Sequence, residues 1–308
     1  MKIRNFLSTS ATSLAIFVAQ PALAEAHAET APAAELPSGP EGPALWKVSD
    51  EDTTIYLFGT IHALPADLEW YDAEIDAALS SSDTVVTEIL LDPASQAAMQ
   101  QLAQQRGIAL DGTTLRSRLD ADQVVAYEAA LEALGIPAAA FDPLKPWLAG
   151  LTFGVLPLMQ AGYDLEAGVD QVILRKSPDS DKEALETADF QLGIFDGLTT
   201  EQQVQFMMHS VNGMGEVTTM VDAMVAEWVE GDADGLAAIM NEGFEEGDDT
   251  FATALLYDRN ANWAEWIDAR LESTPGTVFI AVGAGHLAGS KSVQDYLAAR
   301  EIEAERVQ

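Results

Sequence analysis

Two stretches constrain the fold more than any other: "TTIYLFGTIH" at 53–62 and "TVFIAVGAGH" at 277–286. Each is a β-branched and aromatic run that closes on Gly-x-x-His. "VFIAV" is apolar at every position, the pattern of a strand covered on both faces and therefore of a layered architecture. Gly59 and Gly283 carry no Cβ, so each permits a sharp turn and a close approach of other groups to the backbone. The chain has only four histidines. One histidine after a strand is an ordinary structural residue, but two in one frame mark His62 and His286 as functional candidates.

The remaining patterns build outward from these strands. "ALWKVSD" precedes the first across the acidic turn Ser49–Asp52, which predicts a β-hairpin. "YDAEIDAALSS" has helical spacing and "DTVVTEILL" is β-branched, so the region reads as strand, helix, strand, a βαβ unit. From 93 to 273 the chain reads mostly as helix, with a short strand at "KEALET". "DADQVVAYEAALEALG" stops at Gly135 with Pro137 beyond. "PLKPWLAGLTFGVLPLMQAG" is the most apolar stretch, confined by Lys145 and Pro157 to the length of a buried core helix. "KSVQDYLAAR" and "EIEAERV" add a last helix and strand. The expected fold class is α/β (α+β): a central mixed β-sheet with β-rich N- and C-terminal parts and a large helical insertion.

The ends of the chain carry different signals. Residues 1–24 place Lys2 and Arg4 before "SLAIFVA" and Ala22-Leu23-Ala24, the order of a secretory signal peptide cleaved after Ala24. Its apolar run is shorter than the ~20 residues of a spanning helix. Residues 25–43, rich in Ala, Pro, Glu and Gly, read as a disordered linker that includes His27, and 44–308 as one domain. An exported, periplasmic product without stable membrane insertion is expected. Cysteine is absent, which excludes disulfides, thiolate catalysis and Cys-ligated zinc. Fifteen basic against fifty acidic residues give a net charge of −35, a field that repels nucleic acid and anionic membranes. The acidic "EEGDD" at 245–249 reads as a solvated loop.

Parallel strands joined by crossovers end at one sheet edge, where open α/β sheets bind ligands. His62 and His286 follow strands, and Glu88 lies near the end of another. Its alternation with Val86 and Leu90 places Glu88 on a buried face, where a carboxylate needs a cation or hydrogen-bond donors. Two imidazoles and a carboxylate make a three-ligand set for a divalent metal (Mn, Co or Zn) with a position left for water. The same residues suit metal-free catalysis with His62 or His286 as base and Glu88 as partner. Glu186, at the end of "KEALET", is a second candidate carboxylate ligand. Arg259 and Asn260 in "DRNANWAEW" are candidates for a substrate carbonyl or carboxylate, against packing of Arg259 on Trp263. His209, among Phe206, Met207 and Met208, reads as packing. Gly-x-Ser-x-Gly, His-Glu-x-x-His and phosphate-binding glycine loops are absent, which removes support for the corresponding enzyme classes.

Taken in order, "LWKVSDEDTTIYLFGTIHALP", "VVTEI", "LKPWLAGL", "GVDQVIL", "ALETADFQL", "DRNANWAEWI" and "VFIAVGAGHLAG" resemble the TraB/GumN family, also called the Tiki/TraB/PrgY/GumN group. That family is marked by two Gly-x-x-His motifs and a glutamate after the first, which correspond here to His62, His286 and Glu88. Animal Tiki members are described as metal-dependent proteases, and bacterial members are linked to pheromone shutdown or polysaccharide genes. The resemblance therefore implies a metal-dependent hydrolase acting on a peptide or other small substrate. A non-catalytic periplasmic protein that sequesters a peptide or saccharide is the alternative.

Overall fold

A computed structural model describes residues 42–241 and 252–308. The leader, nearly all of the linker with His27, and the "EEGDD" loop lie outside the described residues. Two compact units emerge. One holds Asp92–Gly162 and Ala188–Met220; the other holds the described residues up to Leu91, then Tyr163–Thr187 and Val221–Gln308.

Eight strands lie among the described residues: β1 (Leu45–Ser49), β2 (Thr53–Thr60), β3 (Leu64–Pro65), β4 (Thr84–Thr87), β5 (Tyr163–Asp164), β6 (Asp181–Ala184), β7 (Gly276–Gly283) and β8 (Glu305–Arg306). Six of them form one mixed sheet in the order β6-β4-β7-β2-β1-β8. β1 and β2 are the expected hairpin, with Leu45 opposite Phe58 and Ser49 opposite Thr54. β7 runs parallel to both β2 and β4, and β4 parallel to β6. The expected βαβ unit from β2 to β4 is thus a split one, with the last long strand inserted between its two strands. β3 and β5 pair apart from this sheet.

Both faces of the sheet are covered, as the unbroken apolar run of β7 requires. Ile55, Leu57, Val86, Val278, Ile280 and Val282 pack on one face with Trp263, Ile267, Val293 and Leu297. On the other, Phe58 meets Phe279 at 5.7 Å, Trp70 at 5.9 Å and Trp228 at 6.2 Å between ring centroids. Truncating a core aromatic of this kind to alanine costs about 3–5 kcal/mol.

Eleven α-helices are found among the described residues. α1 (Ala73–Ser80) joins β2 to β4 and is capped by Asp72, whose side chain accepts from the Ile75 N–H. α2 (Pro93–Gly107), α3 (Ala121–Ala133) and α4 (Pro146–Gln160) follow, and α5 (Val169–Lys176) lies between β5 and β6. α6 (Ala188–Asp196), α7 (Thr200–Gly213), α8 (Val217–Val229), α9 (Ala233–Asn241) and α10 (Asp258–Ser273) come next, with α11 (Val293–Ala298) after β7. α4 is nearly all buried, as its composition predicts. Pro157 does not end it, however: the helix carries this proline in its final turn and continues to Gln160. Around α4 the first unit builds its own core from Tyr127, Leu131, Phe141, Phe153, Met207 and neighbours. His209 on α7 is partly enclosed, and burial lowers its pKa to about 4. The helical insertion is interrupted, because the chain returns to the sheet through β5, α5 and β6 before leaving again. No helix among the described residues is long and apolar enough to cross a membrane.

Candidate functional site at the carboxyl edge of the sheet

Four neighbouring parallel strands deliver one polar side chain each to the same edge. Glu186 lies two residues past β6, Glu88 one past β4, His286 three past β7 and His62 two past β2. β7 lies between β4 and β2, so the glutamate and both histidines converge around its last residue, Gly283. A Cβ on Gly283 would lie 3.1 Å from Glu88 Oε1 and 3.6 Å from both His62 Nε2 and His286 Cδ2. Gly283 is therefore required by close approach; its φ of −49° suits any residue. Gly59 lies within β2 and not in a turn, but it too is set by close approach, since a Cβ there would lie 3.0 Å from Ala284 Cα and Cβ.

Strand alternation does not account for the burial of Glu88. Val86 and Glu88 are buried, but Leu90 is 43% exposed. β4 ends at Thr87, and side chains beyond it no longer alternate across a sheet. Glu88 is buried because it is bonded inward: Oε1 accepts from the Gly283 N–H at 2.8 Å and Oε2 from Arg259 Nη2 at 2.6 Å. Burial alone raises the pKa of this carboxyl. The adjacent Arg259 charge and the Gly283 N–H reverse that and hold it well below the usual range.

Arg259, in the first turn of α10, is the hub. Its Nε donates to both Glu186 oxygens at 2.8 and 3.1 Å, its Nη1 to the Leu255 carbonyl at 2.8 Å, and its Nη1 also reaches His286 Nε2 at 3.2 Å. Its guanidinium lies 4.8 Å from the Trp263 ring centroid, and the Trp263 indole N–H donates to Glu186. Burial opposes the Arg259 charge, but Glu88 and Glu186 outweigh it and raise its pKa. Arg259 and Asn260, expected to meet substrate, are both enclosed side chains of this framework.

Each histidine has one ring nitrogen assigned by chemistry. A backbone carbonyl can only accept, so the Asn260 amide nitrogen faces the Lys291 carbonyl at 2.8 Å. Asn260 Oδ1 then accepts from His286 Nδ1–H at 2.5 Å, and the His286 Nε2 lone pair faces Arg259. Burial and the Arg259 charge push the His286 pKa well down, which keeps the ring neutral. His62 differs: its Nδ1 donates to Asp170 Oδ2 at 2.6 Å, while Asp170 Oδ1 accepts from Thr60 Oγ1 at 3.0 Å. Burial lowers the His62 pKa, but Asp170 prevails and the net shift is upward.

Sequence pattern alone does not single out Asp170. It occupies the second position of α5, where an acidic residue ordinarily serves the helix dipole. The sequence does hold a signal in "GVDQVIL": Gly168 precedes it, and a Cβ there would lie 2.1 Å from the His62 carbonyl oxygen. The bond from the Val169 N–H to the Ile61 carbonyl, at 2.9 Å, then fixes the start of α5 against the His62 turn.

The donor set of two imidazoles and two carboxylates has the chemistry of a divalent metal site, but its arrangement does not fit one. The Arg259 guanidinium holds Glu88, Glu186 and the Nε2 of His286, and among the described residues no three His, Asp or Glu side chains are grouped to hold an ion.

Fold and site together define an α/β protein whose parallel strands bring two histidines and two glutamates to one sheet edge. The chain belongs to the TraB/PrgY/gumN family, whose profile matches residues 44–306. No curated protein and no solved structure matches it.

Proposed function

We propose that this protein is an exported, periplasmic hydrolase of peptide or amide bonds in which His62 is the general base. One observation carries the reading. His62 is the most accessible side chain of the cluster, 11% exposed, whereas His286 is 0% exposed and Arg259 2%. It is also the one oriented by a carboxylate, through Asp170. Such a pairing fixes the ring so that Nε2 takes a proton while Nδ1–H stays on Asp170. In the reaction, Nε2 accepts a proton from water as the oxygen adds to the substrate carbonyl. The same proton then passes to the departing amine, leaving one carboxylic acid and one amine. Asp170 is a positioning residue, since it acts through His62.

The substrate class rests on the family resemblance, and the expected divalent ion has no part in the steps above. A second reading, a binding protein that sequesters a peptide or saccharide, is favoured by the enclosure of Arg259, Asn260 and His286. A peptide library incubated with the purified chain separates the two. Hydrolysis that disappears in His62→Ala, with an unchanged melting curve, supports the base; no cleavage of any peptide, with or without added metal, removes the hydrolase reading.

A further inference from the structure

We propose that Arg259 is the resident cation of this site and occupies the place that its donor set would otherwise give to a divalent ion. Three of the four side chains with metal-ligand chemistry bond to this one guanidinium. Glu88 takes Nη2 at 2.6 Å, Glu186 takes Nε at 2.8 Å, and His286 offers its Nε2 to Nη1 at 3.2 Å. The histidine is set for that contact. Asn260, held by the Lys291 carbonyl, fixes the proton on Nδ1 and directs the Nε2 lone pair toward the guanidinium. A lone pair and two carboxylates are the donor types a metal needs, and here they meet three different nitrogens of one cation supplied by the chain itself.

The identity of that cation matters. Arg carries its charge at every accessible pH and presents donors in a fixed planar fork, so one side chain can bridge three acceptors at once. A lysine ammonium is a point charge that could satisfy them only by turns. The arginine is also rigidly set, lying in the first turn of α10 with its guanidinium over Trp263 and Nη1 on the Leu255 carbonyl one turn back. Two buried carboxylates would otherwise require a metal or protonation. With Arg259 present, both carboxylates already face a cation without either. This inference concerns which cation fills the site, and it stands or falls separately from the hydrolase reading.

The test is metal binding, not turnover. Chelator-treated wild-type protein is titrated with Zn²⁺ and with Mn²⁺ at physiological ionic strength, which screens weak binding by the acidic surface. Stoichiometry and melting temperature are recorded. The expected wild-type result is no saturable one-equivalent site that depends on His286, and a melting temperature unmoved by chelator. Arg259→Ala releases the three donors; it should melt lower than wild type and gain one equivalent of Zn²⁺ that raises its melting temperature. That gain should vanish in Arg259→Ala combined with Glu88→Gln. One tightly bound equivalent in the wild type, weakened tenfold or more by His286→Ala, would overturn the proposal. So would a folded Arg259→Ala that binds no ion. If Arg259→Ala does not fold, Arg259→Lys and the wild-type titration decide: neither should bind a stoichiometric ion, and either one doing so refutes the assignment.

Discussion

Replacing Glu88 by glutamine removes one charge and leaves the shape, and the structure fixes what that costs. Both Glu88 oxygens are acceptors facing donors, the Gly283 N–H at 2.8 Å and Arg259 Nη2 at 2.6 Å. Glutamine supplies one oxygen and one NH₂, so one of those donors must face another donor. Loss of the charge-assisted bond is worth roughly 1.5–3 kcal/mol, and leaving a buried donor unsatisfied about 1–3 kcal/mol. Arg259 keeps Glu186, so its own charge is not orphaned and the total stays near the ~3–5 kcal/mol found when a buried pair loses one partner. At roughly 2–4 °C per kcal/mol for a chain of this order, the melting temperature of Glu88→Gln should fall by about 6–20 °C. Circular dichroism melts of wild type and variant at neutral pH measure it.

The pH dependence is a second reading of the same experiment. The pKa of Glu88 is lowered on folding, so its stabilisation is fully present above the unfolded value, ~4.3. It is lost only as pH falls from there toward the lowered folded value. The difference between wild type and Glu88→Gln should therefore be flat from about pH 6 to 8 and shrink below about pH 4. A variant melting within about 2 °C of wild type at neutral pH would refute the buried-pair account, because it would mean the charge contributes nothing net.

Two further outcomes follow from the same geometry. In Asp170→Asn the carboxylate that outweighs burial is gone, so the His62 pKa should drop and the acidic limb of the pH–rate profile should move to lower pH, with turnover reduced at least about tenfold. Because the wild-type His62 pKa is raised on folding, its stabilisation is complete below the unfolded value of ~6.5 and fades as pH rises through the folded value. The melting difference between wild type and Asp170→Asn should accordingly narrow from pH 6 to 9. Gly283→Ala places a methyl 3.1 Å from Glu88 Oε1, tighter than ordinary contact. A loss of about 1–3 kcal/mol in a denaturant titration is expected, and an unchanged midpoint would show that Glu88 can retreat at no cost.

The amino-acid pattern by itself determined the strands and their sides. Period and composition are local properties, so the hairpin at 45–60, the doubly covered strand at 276–283 and the buried helix after Lys145 were all legible. Parallel strands joined by crossovers likewise end at one edge, which places His62, Glu88 and His286 together from the sequence alone. What tertiary structure decided was who meets whom there. Arg259 and Glu88 are 171 positions apart, and His62 and Asp170 are 108 apart. No periodicity encodes such pairings, and an arginine or aspartate near a helix start reads the same whether it faces solvent or a buried partner. The same donor residues spell a metal site in one dimension; in three, insertion of β7 between β2 and β4 and the placement of α10 bring a guanidinium into their midst. That choice of cation rests on distances of a few ångströms between remote residues, which only the packed chain can set.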